Sequence, residues 1–165
     1  MKLSFFYPRW GSDYLAWNTF LFLVKDNNYD GVEIGIPYDK REKNEILMQI
    51  KDHDLKFIAQ HWETKEPNFK KHKEQYKRRL YDLAETEPLF INSHTGLDFF
   101  SFSENVELLE LAHYIEQETK VIISHETHRS RFSFAAHICL DFINELPFLK
   151  LTSDLSHWCC VAESL

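Results

Sequence analysis

Short apolar runs alternate with longer segments of helical periodicity along the whole chain. The strand-like runs fall at 2–6, 31–36, 55–61, 89–94, 121–126 and 149–154. Between them lie five segments of helical length. Ser12 and Asp13 can cap a helix over 14–25, and 40–52 carries Ile46, Leu47 and Ile50 at helical spacing. The charged stretch 67–85 has Tyr76, Leu80 and Leu83 as its apolar stripe. A fourth helix follows Ser103 through Val106, Leu108, Leu109, Leu111 and Ala112, and 132–146 forms the fifth. Strand and helix alternating in this way predict an α/β protein built of βαβ units around a parallel sheet.

Two architectures fit, an open doubly wound sheet and a (β/α)8 TIM barrel. No G-x-G-x-x-G follows the first strand, and no phosphate-binding P-loop is present. Polar residues instead close many different strands: Glu33, His61, His94, Glu126 and Asp154. A barrel collects its chemistry from the tops of all its strands, which favours the TIM-barrel type. Eight strands and about 250 residues are usual for that fold, whereas about six units are legible in these 165 residues. The expectation is one TIM-barrel domain over 1–165, incomplete at its C-terminus. The sequence stops at Ser164-Leu165, where a sixth helix should begin. Open strand edges would then favour self-association into a homo-oligomer.

A hydrophobic fraction of 44% and 14 Phe predict a densely packed globule, and only 4 Gly and 5 Pro argue against disorder. The net charge of −7 disfavours nucleic acid as a partner, because phosphate binding draws on Lys and Arg. No apolar run approaches the roughly 20 residues that span a bilayer, and the N-terminus does not read as a signal peptide. Three cysteines, with Cys159 and Cys160 adjacent, predict reduced thiols, buried or half-buried, in a cytoplasmic protein.

The candidate chemistry lies at the strand ends. VIISHE ends at Glu126, and LKLTSD ends at Asp154 and continues into a D-x-x-H with His157. Two carboxylates and an imidazole offer oxygen and nitrogen ligands to a divalent metal. Alternation puts Ser124 and Glu126 on one face and His125 toward the helix layer or the strand's flank; Thr152 and Asp154 share a face. Each carboxylate alone could instead pair with Arg129, Arg131 or Lys150, but the two together with His157 favour a metal. His61 and His94 close consecutive strands and are candidate substrate ligands. The following loop carries His128, Arg129 and Arg131, suited to an oxyanion or polyhydroxyl substrate or to balancing the carboxylates. Glu33 faces inward, to bind substrate or to hold a cation. Trp62 and Trp158 are candidate apolar walls for a sugar ring, or core aromatics. His53, His72, His113 and His137 are read as structural or exposed.

GVEIG, SHETHRSR and TSDLSHW, in this order along the chain, resemble the sugar phosphate isomerase/epimerase family, the xylose isomerase-like TIM barrels. The resemblance implies a divalent ion, Mn, Mg, Co or Zn, held by a glutamate, an aspartate, a histidine and a second glutamate from four successive strands. It makes Glu126 and Asp154 the first two ligands and places His157 on substrate or metal. It implies proton transfer beside a carbonyl through an enediolate, with Glu126 one of the two acting glutamates. The histidine and the second glutamate have no counterpart in the sequence, so isomerase activity is expected to be impaired or lost. Many such epimerases carry a substrate-binding glutamate where this chain has Phe132, which disfavours a free ketohexose; the Arg129/Arg131 loop favours an acidic or phosphorylated sugar. Two other readings are an endonuclease-IV-like zinc phosphodiesterase using His61 and His94, which the acidic balance disfavours, and a non-catalytic fragment.

Overall fold

A computed structural model describes residues 3–163. Six strands, β1 (Phe6–Pro8), β2 (Gly31–Gly35), β3 (Lys56–His61), β4 (Ile91–Ser93), β5 (Ile123–Glu126) and β6 (Leu151–Thr152), form one sheet. Their order is sequential and every pairing is parallel. Each crossover therefore advances by one strand, as a barrel wall requires; a doubly wound sheet would reverse direction at a switch point. The helices are α1 (Trp17–Asp26), α2 (Lys40–Asp52), α3 (Phe69–Ala84), α4 (Phe102–Thr119), α5 (Ala136–Glu145) and α6 (Leu155–Ala162). The result is a partial TIM barrel of six βα units.

Local chemistry sets the helix starts. Asp39 accepts from the Glu42 amide at 2.8 Å, Asn68 from Lys71 at 3.2 Å, and Ser101 closes a capping box with Glu104. Glycine is required at Gly31, where a Cβ would strike the Lys56 carbonyl and the Phe6 ring.

Several boundaries depart from the sequence pattern, among them the ends of β4 and β6, which span only Ile91–Ser93 and Leu151–Thr152, so Asp154 lies beyond its strand. The first strand starts at Phe6, where pairing with Gly31 begins, rather than at position 2; Lys2 lies outside the described residues. Ser12 and Asp13 do not cap α1. They form a turn in which the Ser12 amide bonds the Arg9 carbonyl at 3.0 Å, and α1 starts three residues later with Ala16 at its N-cap. α5 starts at Ala136, because the stretch after β5 folds back over the sheet and buries Phe132 and Ala135. The sixth helix begins directly after β6: Asp154 is its N-cap, so the D-x-x-H is the first turn of α6.

The pleat divides the strand residues between two faces. Ile34, Ala59, Ile91 and Ile123 form an in-register row on the outer face, against which Leu21, Ile46, Ile50, Leu80 and Leu108 of the helices are buried. Each such aliphatic side chain contributes about 1.5–3 kcal/mol by leaving water. One step toward the strand tops the same face turns polar, with His61, Ser93 and His125 in register. His61 Nδ1 meets Ser93 Oγ at 3.0 Å and its Nε2 meets Thr64 Oγ1 at 2.7 Å. Thr95 Oγ1 joins Ser93, the Tyr76 hydroxyl and His125 Nδ1 at 2.9, 2.9 and 2.7 Å. Every member is buried and partnered, which makes the row a brace for the sheet's upper edge.

Burial pushes His125 down to about 3 and His61 well below the ordinary histidine value, so both are neutral in the fold. The unfolded chain then binds more protons below about pH 6.5, and stability falls as pH drops from there toward the folded values. His125→Asn keeps a polar atom near Thr95 and removes one titrating ring. Urea midpoints measured from pH 7 to pH 5 should show a shallower acid loss in this variant, by up to about 1.4 kcal/mol per pH unit. An unchanged slope would contradict the neutral assignment.

Candidate metal centre

Residues one step out of phase with that brace point the other way. Glu33, Gly35, Gln60, His94, Glu126 and Asp154 line a cavity of about 710 Å³ above the strand tops, joined by His128 from the β5–α5 loop and His157 from α6. Trp10, Trp17 and Trp62 supply aromatic wall, and Arg9 and Lys65 supply cations.

Glu126 is the buried centre of this cavity. Its Oε2 accepts from Asn92 Nδ2 at 2.6 Å and lies 3.1 Å from His94 Nε2, while its Oε1 faces His157 Nε2 at 3.9 Å. The same Asn92 amide nitrogen donates to Glu33 Oε1 at 2.8 Å, so one side chain bridges two carboxylates. Asp154 gives Oδ1 to the Ser156 amide at 2.9 Å and leaves Oδ2 3.7 Å from His157 Nε2. Thr127 Oγ1 clamps the Asp154 backbone from both sides, accepting from its amide at 2.7 Å and donating to its carbonyl at 2.9 Å. The tops of β5 and β6 are thereby locked together.

Electrostatics matches this geometry. Burial alone would raise Glu126, but His94, Asn92 and His128 outweigh it and the carboxyl lies below its ordinary value. Burial also works upward on Asp154, and the Ser156 bonds with His157 and His128 bring it below the ordinary value. Glu33 goes the other way: burial and the Glu126 charge outweigh Asn92 and His94, and its pKa is raised. Glu126, Asp154 and His157 bring ligand atoms within 4.8 Å of one another. Two ionised carboxylates and an imidazole at that spacing fit a divalent cation.

Not every predicted residue reaches the cavity. Glu33, His94, Glu126, His128, Asp154 and His157 do, and so does Trp62. His61 does not: it is fully buried on the helix face in the brace described above, so its placement on substrate is corrected by the strand's own alternation. Arg129 is exposed and lies outside the lining. Arg131 touches the cavity wall, but its guanidinium donates to the carbonyls of Thr64, Gly96 and Trp62 at 2.9, 3.1 and 2.8 Å. It is a buried clamp for three loop carbonyls; burial lowers it to about 10, which leaves it charged at neutral pH. Trp158 lies outside the lining and donates to the Ser133 carbonyl at 2.7 Å.

Sequence reasoning passed over Asn92 and Arg9. Asn92 is two residues before His94 and so on the same face, a signal that alternation carries. Arg9 donates to the Leu15 carbonyl at 2.6 Å and lies over the Trp17 and Phe20 rings. Nothing in its sequence neighbourhood marks it.

Neither a protein-family model nor a curated protein matches the chain. Solved structures do. The 3-keto-D-glucoside 4-epimerase of E. coli aligns at TM-score 0.70 and 16% identity over 99% of this chain and 72% of its own. The "probable 3-DHS dehydratase" of Bacillus anthracis aligns at 0.67 and 15% over 94% of this chain and 64% of its own. A xylose isomerase-like TIM barrel protein from Mycobacterium smegmatis, solved in complex with magnesium, aligns at 0.62 and 13% over 86% of this chain and 56% of its own. The fold is that of a TIM barrel, present here as six of its βα units. The chain spans 56–72% of the length of these three barrels. Identities of 13–16% carry the likeness as fold alone.

Asn92→Ala removes the shared donor and leaves two carboxylates together without it. Unfolding at pH 7 should show a loss of about 1–3 kcal/mol. The loss should shrink at acid pH, first as Glu33, whose pKa is raised, takes up its proton and then as Glu126, whose pKa is lowered, does so. Equal losses at pH 7 and at acid pH would contradict the bridging role.

Proposed function

We propose that the cavity is the metal-binding and proton-transfer part of a sugar or sugar-phosphate isomerase/epimerase site. The convergence of Glu126, Asp154 and His157 at the tops of two clamped strands carries this reading. The chemistry named for the E. coli neighbour and the magnesium of the mycobacterial one support it. A divalent ion held by Glu126, Asp154 and His157 would supply a Lewis acid that polarises a substrate carbonyl.

The chain's own residues do the rest. Ionised Glu126 accepts the proton from the carbon beside that carbonyl, held in place by Asn92. His94, 3.1 Å from Glu126 Oε2, orients a substrate hydroxyl. The Trp17 and Trp62 rings receive the apolar face of a sugar. An acidic or phosphoryl group meets Arg9 and Lys65, since Arg131 is committed to backbone carbonyls and Arg129 lies away from the cavity. Net epimerisation needs an acid and a base in sequence, and the second glutamate implied by the family resemblance has no counterpart here. These 165 residues taken alone hold one of the two groups and are expected to support the half-reaction at Glu126.

The zinc phosphodiesterase reading loses its main support, because His61 sits on the opposite face from His94. Cytoplasmic residence and self-association through the outer sides of β1 and β6 belong to the same proposal. Cys139, Cys159 and Cys160 are unpaired, with Cys160 exposed rather than half-buried. Among the described residues no helix is long and apolar enough to cross a membrane.

Half of the reaction is testable alone, because exchange of a carbon-bound proton needs a single base. With Mn2+ in deuterated water, the chain should incorporate deuterium beside the carbonyl of a ketose phosphate without net epimerisation. Glu126→Gln should remove the incorporation. Equal incorporation by wild type and variant, or none by either, would overturn the assignment.

A further inference from the structure

Glu33 is left without a role once Glu126, Asp154 and His157 are assigned. It faces inward from β2 and lines the cavity, with Gly35 as the next inward residue of the strand. A glycine there puts no side chain between the Glu33 carboxyl and the cavity mouth. Glu33 Oε1 accepts from Asn92 Nδ2 at 2.8 Å, while Oε2 makes no hydrogen bond and is not sealed from the cavity. Among the described residues no Lys, Arg or His forms an ion pair with it, and it belongs to neither group of candidate metal ligands.

Glu126 provides the contrast. Both carboxyls accept from the same Asn92 nitrogen, at 2.8 and 2.6 Å, so the accepting oxygens flank one point of the cavity wall. Two groups held so close can reach neighbouring atoms of one hydroxy-carbonyl unit. Glu126 lies below its ordinary value and Glu33 above it. Neighbouring carboxyls driven apart in this way divide into a base and an acid.

We propose that Glu33 is a catalytic acid–base group that moves a proton between two adjacent substrate oxygens, while Glu126 moves one between the adjacent carbons. The inference rests on the role given to Glu126 under the proposed function. First, Glu126 takes the proton from the carbon beside a ketose carbonyl, and Glu33 gives its proton to the carbonyl oxygen. The product is a neutral enediol, with Glu126 protonated and Glu33 ionised. Glu33 then takes the proton of the neighbouring hydroxyl, whose oxygen becomes the new carbonyl. Glu126 returns its proton to the former carbonyl carbon. Both carboxyls end as they began, and no co-reactant is consumed. One carbon base on one face of the enediol suffices for this aldose–ketose interconversion, whereas epimerisation requires delivery to the opposite face. The reaction these residues serve by themselves is therefore isomerisation of a ketose to its aldose.

Proton NMR of the full chain in deuterated water with Mn2+ tests this, with a pentulose phosphate and a hexulose phosphate as probes. Wild type should form aldose from at least one probe and incorporate deuterium beside the carbonyl. Glu33→Gln keeps an acceptor for Asn92 and should keep the wild-type circular dichroism. It should lower aldose formation by about 100-fold or more and lower deuterium incorporation far less. In the metal-free protein, the infrared carbonyl stretch of a protonated carboxyl should persist to higher pH in wild type than in Glu33→Gln. Deuterium incorporation by wild type without aldose, equal losses of both in Glu33→Gln, or an infrared titration that Glu33→Gln leaves unchanged would overturn the inference and leave Glu126 in its role. No incorporation by wild type would overturn both.

Discussion

The pleat of the parallel sheet sends alternate residues of every strand to opposite faces, and the two faces of this barrel wall carry two separate polar systems. Outward, His61, Ser93 and His125 stand in register and join Thr64, Thr95 and Tyr76 in a closed, fully buried network. Inward, Glu33, Asn92, His94 and Glu126 face the cavity. Adjacent residues thus have opposite fates. His125 is held neutral by burial, whereas Glu126 next to it is held ionised by Asn92 and the surrounding histidines.

The inner system rests on a buried carboxylate, which is unfavourable unless compensated. Asn92 provides part of the compensation and couples Glu126 to Glu33. The three histidines around Glu126 provide more: the His128 ring lies tilted between those of His94 and His157, at 4.2 and 3.8 Å between centroids. Imidazoles gathered so closely around a carboxylate are poorly placed to be charged together. Burial and the charge of His94 lower His128 to about 4, so its ring is neutral at neutral pH. A cation is a partner that such a cluster suits, since it offsets the carboxylate's charge.

Much of this was legible in the sequence, and particular residues show why. Sequential βα units are written in apolar periodicity, which survives without any knowledge of neighbours. Strand-end positions for Glu126, Asp154 and His94 follow from the same pattern. His61 went astray because a strand-end position was weighed without its phase; Gln60, not His61, shares the inward face. Arg131 looks like an anion-binding fork and becomes a clamp because three loop carbonyls from distant segments arrive around it. Those carbonyls belong to Trp62, Thr64 and Gly96, far away in sequence. The start of α6 was hidden because Asp154 reads equally well as a strand end and a helix cap; in the fold it lies two residues past β6 and is the N-cap.

The central claim is that a divalent cation belongs beside Glu126. Histidine ring resonances in the presence of substoichiometric Mn2+ test it most directly, since paramagnetic broadening reports distance from the ion. Selective broadening of His94, His128 and His157, with His53, His113 and His137 left sharp, is the predicted result. Uniform broadening, or broadening that Glu126→Gln leaves unchanged, would contradict it.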